Sequence, residues 1–314
     1  MRGLFLSAFV VTLAACGNDK ADAFRGGIPQ AKDVEMKAPG TGSALTGEGT
    51  RRDGLEGQTS DFYRFTRGVT VLVNGGTGAV LNLVHRITQY PATSVTNDSA
   101  RWGPHTEPLS PNTWMLTVTR TAANTWDYVL QGRGKSEPDS AFRVVLSGTH
   151  VALGPTTGSG SFLIDFDQAH ALPENDGNVG TVAVTYARPS LSDPTHIDAD
   201  FTNVKDGAQL VNARYRYAAT PGQGGTLDFE LDKDFVAGGA LEHGKVRSRW
   251  LETGAGRSDV EGSGGDLQSA VTISECWDAD FLSRYQHASY AAALDYGTEA
   301  RCAFTSAQYA TFAP

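Results

Sequence analysis

From Asn112 onward the apolar side chains fall on every second residue, the period of a strand with one buried face. Trp114, Leu116 and Val118 open the series, followed by Trp126, Tyr128 and Leu130, then Phe142, Val144 and Leu146. Phe162, Ile164 and Phe166 come next, then Val182, Val184 and Tyr186, and Ile197, Ala199 and Phe201. Val211, Ala213, Tyr215 and Tyr217 continue it, then Leu227, Phe229 and Leu231, then Val246 with Trp250. One or two further strands are expected over 258–275. Turn sequences such as Thr121-Ala122-Ala123-Asn124, Asp176-Gly177-Asn178 and Pro221-Gly222-Gln223-Gly224-Gly225 separate the runs. Short connections make neighbours in sequence neighbours in space, so the pattern predicts an antiparallel meander of about ten strands with one apolar face.

Residues 60–90 follow a different period. Phe62, Phe65, Val69, Leu72 and Val73 recur at helical spacing behind Thr59 or Ser60 as N-cap. Asn74-Gly75-Gly76 interrupts them, and Val80, Leu83, Val84 and Ile87 resume until Pro91. This reads as two short helices joined by a tight turn. Residues 91–111 read as a loop carrying Trp102. A sheet with one apolar side must be covered or closed on itself. The expected fold is therefore mainly β (α+β): one curved meander sheet, a half-barrel, covered by N-terminal helices with Phe62, Phe65, Leu72, Leu83 and Ile87 facing inward. A closed lipocalin-like barrel is the alternative. A further helix is expected around Phe281 and Tyr285.

The opposite strand parity is charged, and the sign alternates. Asp198 and Asp200 are followed on the next strand by Arg214 and Arg216, then by Asp228, Glu230 and Asp232, by Arg247 and Arg249, and by Asp259 and Glu261. Opposite charges directly across a ladder contribute roughly 0.2–1 kcal/mol each. The series reads more readily as a solvated ion-pair ladder that fixes strand order than as an ionic binding surface.

Composition narrows the function classes. Apolar residues make up 40% and charged residues 19% of the 314, as in a folded globular chain. The net charge of −9 argues against nucleic acid and against polybasic contact with a membrane. The first residues change this picture. Arg2 precedes an apolar run from Leu4 to Leu13, too short for a permanent span, and small residues follow. Leu13-Ala14-Ala15-Cys16 resembles the lipobox of bacterial lipoproteins. The resemblance implies cleavage after residue 15, lipidation of Cys16 and stable attachment through several acyl chains. Gly17, where an inner-membrane retention signal would have Asp, favours the outer membrane. Residues 16–55 carry scattered charges, many Gly, Ala, Thr and Pro, and few large apolar side chains, and read as a flexible tether. The remainder, 56–314, reads as one β-rich domain.

With Cys16 assigned to lipid and the chain exported, Cys276 and Cys302 are expected to pair in an oxidising compartment. The chain-entropy model values that closure at about 3 kcal/mol. The string Ser274-Glu275-Cys276-Trp277-Asp278 resembles a pattern in lipoproteins of myxobacterial type, a resemblance that brings no chemistry with it. The half-barrels that carry lipoproteins between membranes are similar in expected architecture only.

No nucleophile elbow, zincin helix, phosphate loop or dinucleotide fingerprint is present, and no cofactor is implied. Asp165, Asp167, Glu174 and Asp176 form the densest acidic cluster near a loop, but their spacing departs from a calcium loop. His196, Asp198 and Asp200 alternate on one strand face and belong to the charge ladder. No catalytic residue is assigned. The expected role is an exported, membrane-anchored lipoprotein of structural or surface-interaction type. The alternative is a carrier of a hydrophobic ligand such as an acyl chain, with Trp114, Trp126, Phe162, Tyr215 and Trp250 lining the pocket. A hydrolase-type enzyme is the remaining alternative.

Overall fold

Fifteen antiparallel strands follow one another in chain order and form one open sheet. The computed structural model describes residues 18–38, 56–154, 156–234 and 238–312; Cys16 and the segment 1–15 lie outside them. The strands are β1 (Ser94–Val95), β2 (Ser99–Thr106), β3 (Asn112–Ala122), β4 (Thr125–Gly134), β5 (Arg143–Gly154), β6 (Thr157–Asp165), β7 (Thr181–Arg188) and β8 (Thr195–Asp206). There follow β9 (Gln209–Thr220), β10 (Gly224–Lys233), β11 (Glu242–Leu251), β12 (Gly256–Gly264), β13 (Val271–Trp277), β14 (Ser283–Ala288) and β15 (Tyr296–Gly297). Since β1 pairs only with β2 and β15 only with β14, the sheet does not close and the lipocalin-like alternative fails.

The count exceeds ten for identifiable reasons. The expected loop 91–111 contains β1 and β2, and β2 was concealed by Gly103-Pro104, where its register with β3 shifts between Trp102 and His105. The expected helix around Phe281 and Tyr285 is instead a turn followed by β14. Phe281 holds a φ of 62°, a left-handed position that cannot continue a helix, and its ring stacks on Tyr63 at 4.2 Å. Strand parity otherwise follows the hydrophobic pattern, with one informative slip. The β4–β5 register shifts after Leu130, so Val145 turns inward at 6% exposure while Val144, the expected core residue, is 41% exposed. Phe166, expected at the end of a strand, begins α3 (Phe166–His170).

A single helix, α2 (Asp61–Thr88), crosses the apolar face in place of two. Ser60 caps it by accepting from Tyr63 N at 3.0 Å. Glycine costs about 1 kcal/mol in a helix interior, yet the helix runs through Asn74-Gly75-Gly76. Two features offset the cost. Val73, Leu81 and Val84 are buried against the sheet, and the Asn74 amide holds the backbone of Met36 from both sides, accepting from its N–H at 2.9 Å and donating to its carbonyl at 2.8 Å. The inward stripe is Tyr63, Thr66, Thr70, Val73, Leu81, Val84 and Thr88. Its threonines are absent from any apolar pattern because each returns its hydroxyl to a helix carbonyl, as Thr66 does to Phe62 at 2.7 Å. Phe65, expected inward, is 39% exposed; Phe62, Leu83 and Ile87 are half-buried. The side chain of Leu72 lies outside the described set.

The flexible tether expected over 16–55 is not what residues 18–38 form. They make α1 (Asn18–Arg25) and a 3-10 turn (Ala31–Asp33), and Phe24, Ile28, Val34 and Met36 are buried in the main core. Beyond the Asn74 clamp, Tyr217 Oη accepts from Lys37 N at 2.9 Å, His85 Nε2 meets Pro29 O at 3.1 Å, and Arg25 Nε donates to Thr88 O at 2.8 Å. This strap and the first half of α2 divide one continuous cross-strand row between them: Trp126, His150, Gly160, Tyr186, Ile197, Tyr217, Leu227, Ser248, Ser258 and Glu275. At one end Gly27 lies on Trp126; at the other Thr66 meets Ser248 at 2.6 Å and Phe62 N donates to Glu275 at 2.9 Å.

Aromatic rings repeatedly lie over a glycine on the adjacent strand. Tyr128 covers Gly148, Tyr186 covers Gly160, Trp250 covers Gly225 and Trp277 covers Gly256. A Cβ at Gly256 would stand 2.4 Å from the Trp277 ring, so the small residue is what lets the ring lie flat on the sheet.

On the outer face the charge ladder forms in the expected register. Asp198 faces Arg216, Asp200 faces Arg214, and Arg216 and Arg214 face Asp228 and Glu230; Arg247 binds Asp228 at 2.5 Å and Arg214 binds Glu230 at 3.0 Å. It is not solvated throughout. Asp259 and Arg257 are buried, and Asp259 accepts from Arg249, Arg257, Ser274 and Gln308 N at 2.7–3.0 Å. The cover there is the C-terminal segment, whose Phe304 and Phe312 lie on the guanidinium groups of Arg249 and Arg216. Cys276 and Cys302 pair as expected, with Cα atoms 5.7 Å apart, and staple that segment to β13.

Candidate ligand cavity

On the side of α2 away from the strap, the described residues do not fill the apolar face. A cavity of about 1010 Å³ lies there, roofed by the last turns of α2 and floored by β2 to β6. The strands place the floor by parity: Trp102, Leu130 and Ile164 belong to one cross-strand row, and Trp114 stands opposite Gly132 in the next. Gly132 makes room, because a Cβ there would sit 2.8 Å from the Trp114 ring and 2.9 Å from Leu172 Cδ1. Val80, Leu83 and Ile87 come down from α2, and Phe166, Ala169 and Leu172 close the far wall from α3 and the residues after it.

Two loops frame the mouth and are fastened to each other. The buried Asn112 side chain donates to Glu174 O at 2.7 Å and accepts from Glu174 N at 3.2 Å, which locks the 171–178 loop to the start of β3. Trp102 Nε1 donates to Tyr90 O at 3.1 Å and fixes the chain leaving α2. The rim is polar and carries Arg86, His105, Glu107, Glu174 and Asp176, while Leu109 at the tip of the 107–110 loop is 99% exposed.

Of the five residues expected to line a pocket, only Trp114 does so. Trp126 lies under Gly27 of the strap, Phe162 packs beside Tyr186 at 6.4 Å, Tyr215 stands between Phe201 and Phe229 at 5.0 and 4.7 Å, and Trp250 packs beside Tyr217 at 6.3 Å. These four are filled core. Sequence reasoning missed Trp102, Asn112 and Leu172. The prolines at 91, 104, 108 and 111 marked a loop-framed region there, but not what the loops enclose.

The acidic cluster is occupied with local structure. Asp165 caps α3 by accepting from Gln168 N at 2.9 Å, Asp167 accepts from Gly180 N at 2.8 Å, and Asp176 accepts from Asn178 N at 3.1 Å. Among the described residues no group of three His, Cys, Asp or Glu side chains is placed to hold a metal ion. Asp198, raised above the usual carboxylate range by desolvation, and Asp200 stand in the ladder opposite Arg216 and Arg214.

The Ser274–Asp278 string is a set of fasteners. Ser274 donates to Asp259, Glu275 accepts from the first turn of α2, Cys276 forms the disulfide, Trp277 donates to Gly254 O, and Asp278 holds Leu282 N and Arg284. Burial raises the Glu275 carboxyl above its ordinary range. No helix among the described residues is long and apolar enough to cross a membrane. No family model matches the chain, and neither a curated protein nor a solved structure shows significant similarity to it.

Proposed function

We propose that this chain is an envelope lipoprotein, cleaved before Cys16 and held at the outer membrane by the lipid on that residue, and that it binds a hydrophobic ligand beside α2. The single observation behind the binding reading is the cavity of about 1010 Å³ with Trp102, Trp114, Leu130 and Ile164 beneath it and a polar rim. Small-molecule sites run to roughly 300–1,000 Å³ and combine apolar walls with a few polar groups at the mouth, and this cavity lies at the upper end of that range. A sheet curved into a half-barrel around α2 accounts for an apolar face that is plugged on one side and open on the other. The structural or surface-interaction role remains the reading for the outer face, where Asp259 and its arginines act as a fastening.

Native mass spectrometry of the purified protein tests the binding reading, together with titration by an environment-sensitive fluorescent fatty acid. The expected result is a co-purified hydrophobic mass, or saturable one-site binding that Ala169→Trp abolishes by filling the cavity. An apo mass alone with no saturable binding overturns it. Metabolic labelling with an alkyne fatty acid tests the anchor: label retained by Cys16→Ser removes that part.

A further inference from the structure

We infer that the cavity mouth seats on a lipid bilayer and that its occupant is an acyl chain of a zwitterionic phospholipid; this deepens the hydrophobic-ligand reading and rests on it. The mouth is built for an interface. Leu109 projects at 99% exposure from the tip of the 107–110 loop, with Pro108 beside it, and Tyr90, 54% exposed, also lines the opening with its ring 5.2 Å from that of His105. A leucine with no neighbour is ordinary on a surface. Here it stands at the opening of an unfilled apolar cavity whose lip carries an aromatic ring with a polar end, the residue type that collects at bilayer interfaces.

Rim charge selects the headgroup. Glu107, Glu174 and Asp176 line the opening together with Arg86 and His105, so carboxylates outnumber guanidinium groups there. An anionic headgroup meets repulsion there. A zwitterionic one offers its ammonium to the carboxylates and its phosphate to Arg86.

The test uses the full lipidated protein reconstituted in zwitterionic vesicles. Leu109→Cys carries an environment-sensitive dye, as does Leu191→Cys, a control in the β7–β8 turn at the opposite end of the strands. Cys276 and Cys302 are disulfide-bonded and stay unlabelled. The expected result is a blue shift at 109, quenching by brominated lipid, and iodide access several-fold lower than at 191. Equal iodide access at the two positions overturns the bilayer seating. Replacing half the lipid by an anionic species is expected to return the 109 label towards water, and unchanged burial overturns the headgroup assignment. If a hydrophobic mass co-purifies while the 109 label stays in water, this inference fails and the ligand-binding reading stands.

Discussion

Helix α2 separates two stretches of the same apolar face. On one side lie Trp126, Tyr186 and Tyr217, covered by the strap and packed; on the other lie Trp102, Trp114 and Ile164, beneath a cavity. Both sides carry aromatic and branched residues at the same alternate positions, so the strands do not distinguish core from pocket. The difference comes from what lies on top. Residues 18–38 bring Phe24, Ile28, Val34 and Met36 to one side, and no described segment does the same for the other. An inward aromatic residue is therefore a pocket candidate only once every covering segment has been placed.

The contrast breaks if substitutions on the two sides cost the same. Phe162→Ala, in the filled part, is expected to lose about 3–5 kcal/mol in chemical denaturation, because the cavity it leaves has no means of collapsing. Asn74→Ala removes both bonds to the Met36 backbone and is expected to lose about 1–3 kcal/mol. The same variant should raise amide hydrogen exchange selectively over 18–38; exchange unchanged there would mean that the strap is held by its apolar residues alone. Leu83→Ala, whose side chain already borders empty space, is expected to lose about 1 kcal/mol or less while weakening binding of the fluorescent fatty acid several-fold. A loss as large as that of Phe162→Ala would show that the cavity side is packed after all.

The smallest effect concerns how α2 is seated. The folded-state pKa of Glu275 is raised by burial, so the folded protein holds its proton more tightly than the unfolded chain does. Its contribution is most favourable below the ordinary carboxylate range and declines as pH rises through the raised value. Glu275→Gln is thus expected to raise Tm by about 1–3 °C near pH 8 and to match the parent near pH ~4. A lower Tm at pH 8 would show that the carboxylate charge at the start of α2 outweighs its desolvation.

Much of the sheet was legible because strand burial has a period of two. The row from Trp126 to Leu227 and the sign alternation from Asp198 to Glu261 follow from it, while the expectation of the Cys276–Cys302 pair rests on the lipobox resemblance and the oxidising compartment it implies. What was not legible depended on partners distant in sequence. The strap has no period, since each of its fastenings comes from elsewhere: Asn74, His85, Thr88 and Tyr217. The inner stripe of α2 is partly hydroxyl, and a threonine that bonds its own helix reads as surface until its burial is known. Val144 and Val145 exchanged roles through one bulge, which two adjacent valines cannot announce. The cavity was least visible of all, because it lies where no described segment covers the apolar face.

Strands that pair strictly in order have a consequence for the two ends of the sheet. An open sheet offers a row of free amides and carbonyls along each margin, a template on which other chains can add. Here each margin is a strand of only two residues, β1 at Ser94–Val95 and β15 at Tyr296–Gly297, so the longest strands lie inside and every one of them is paired on both sides. Fourteen consecutive antiparallel pairings end at each border in a ladder of two residue pairs, so no long strand forms the outer margin.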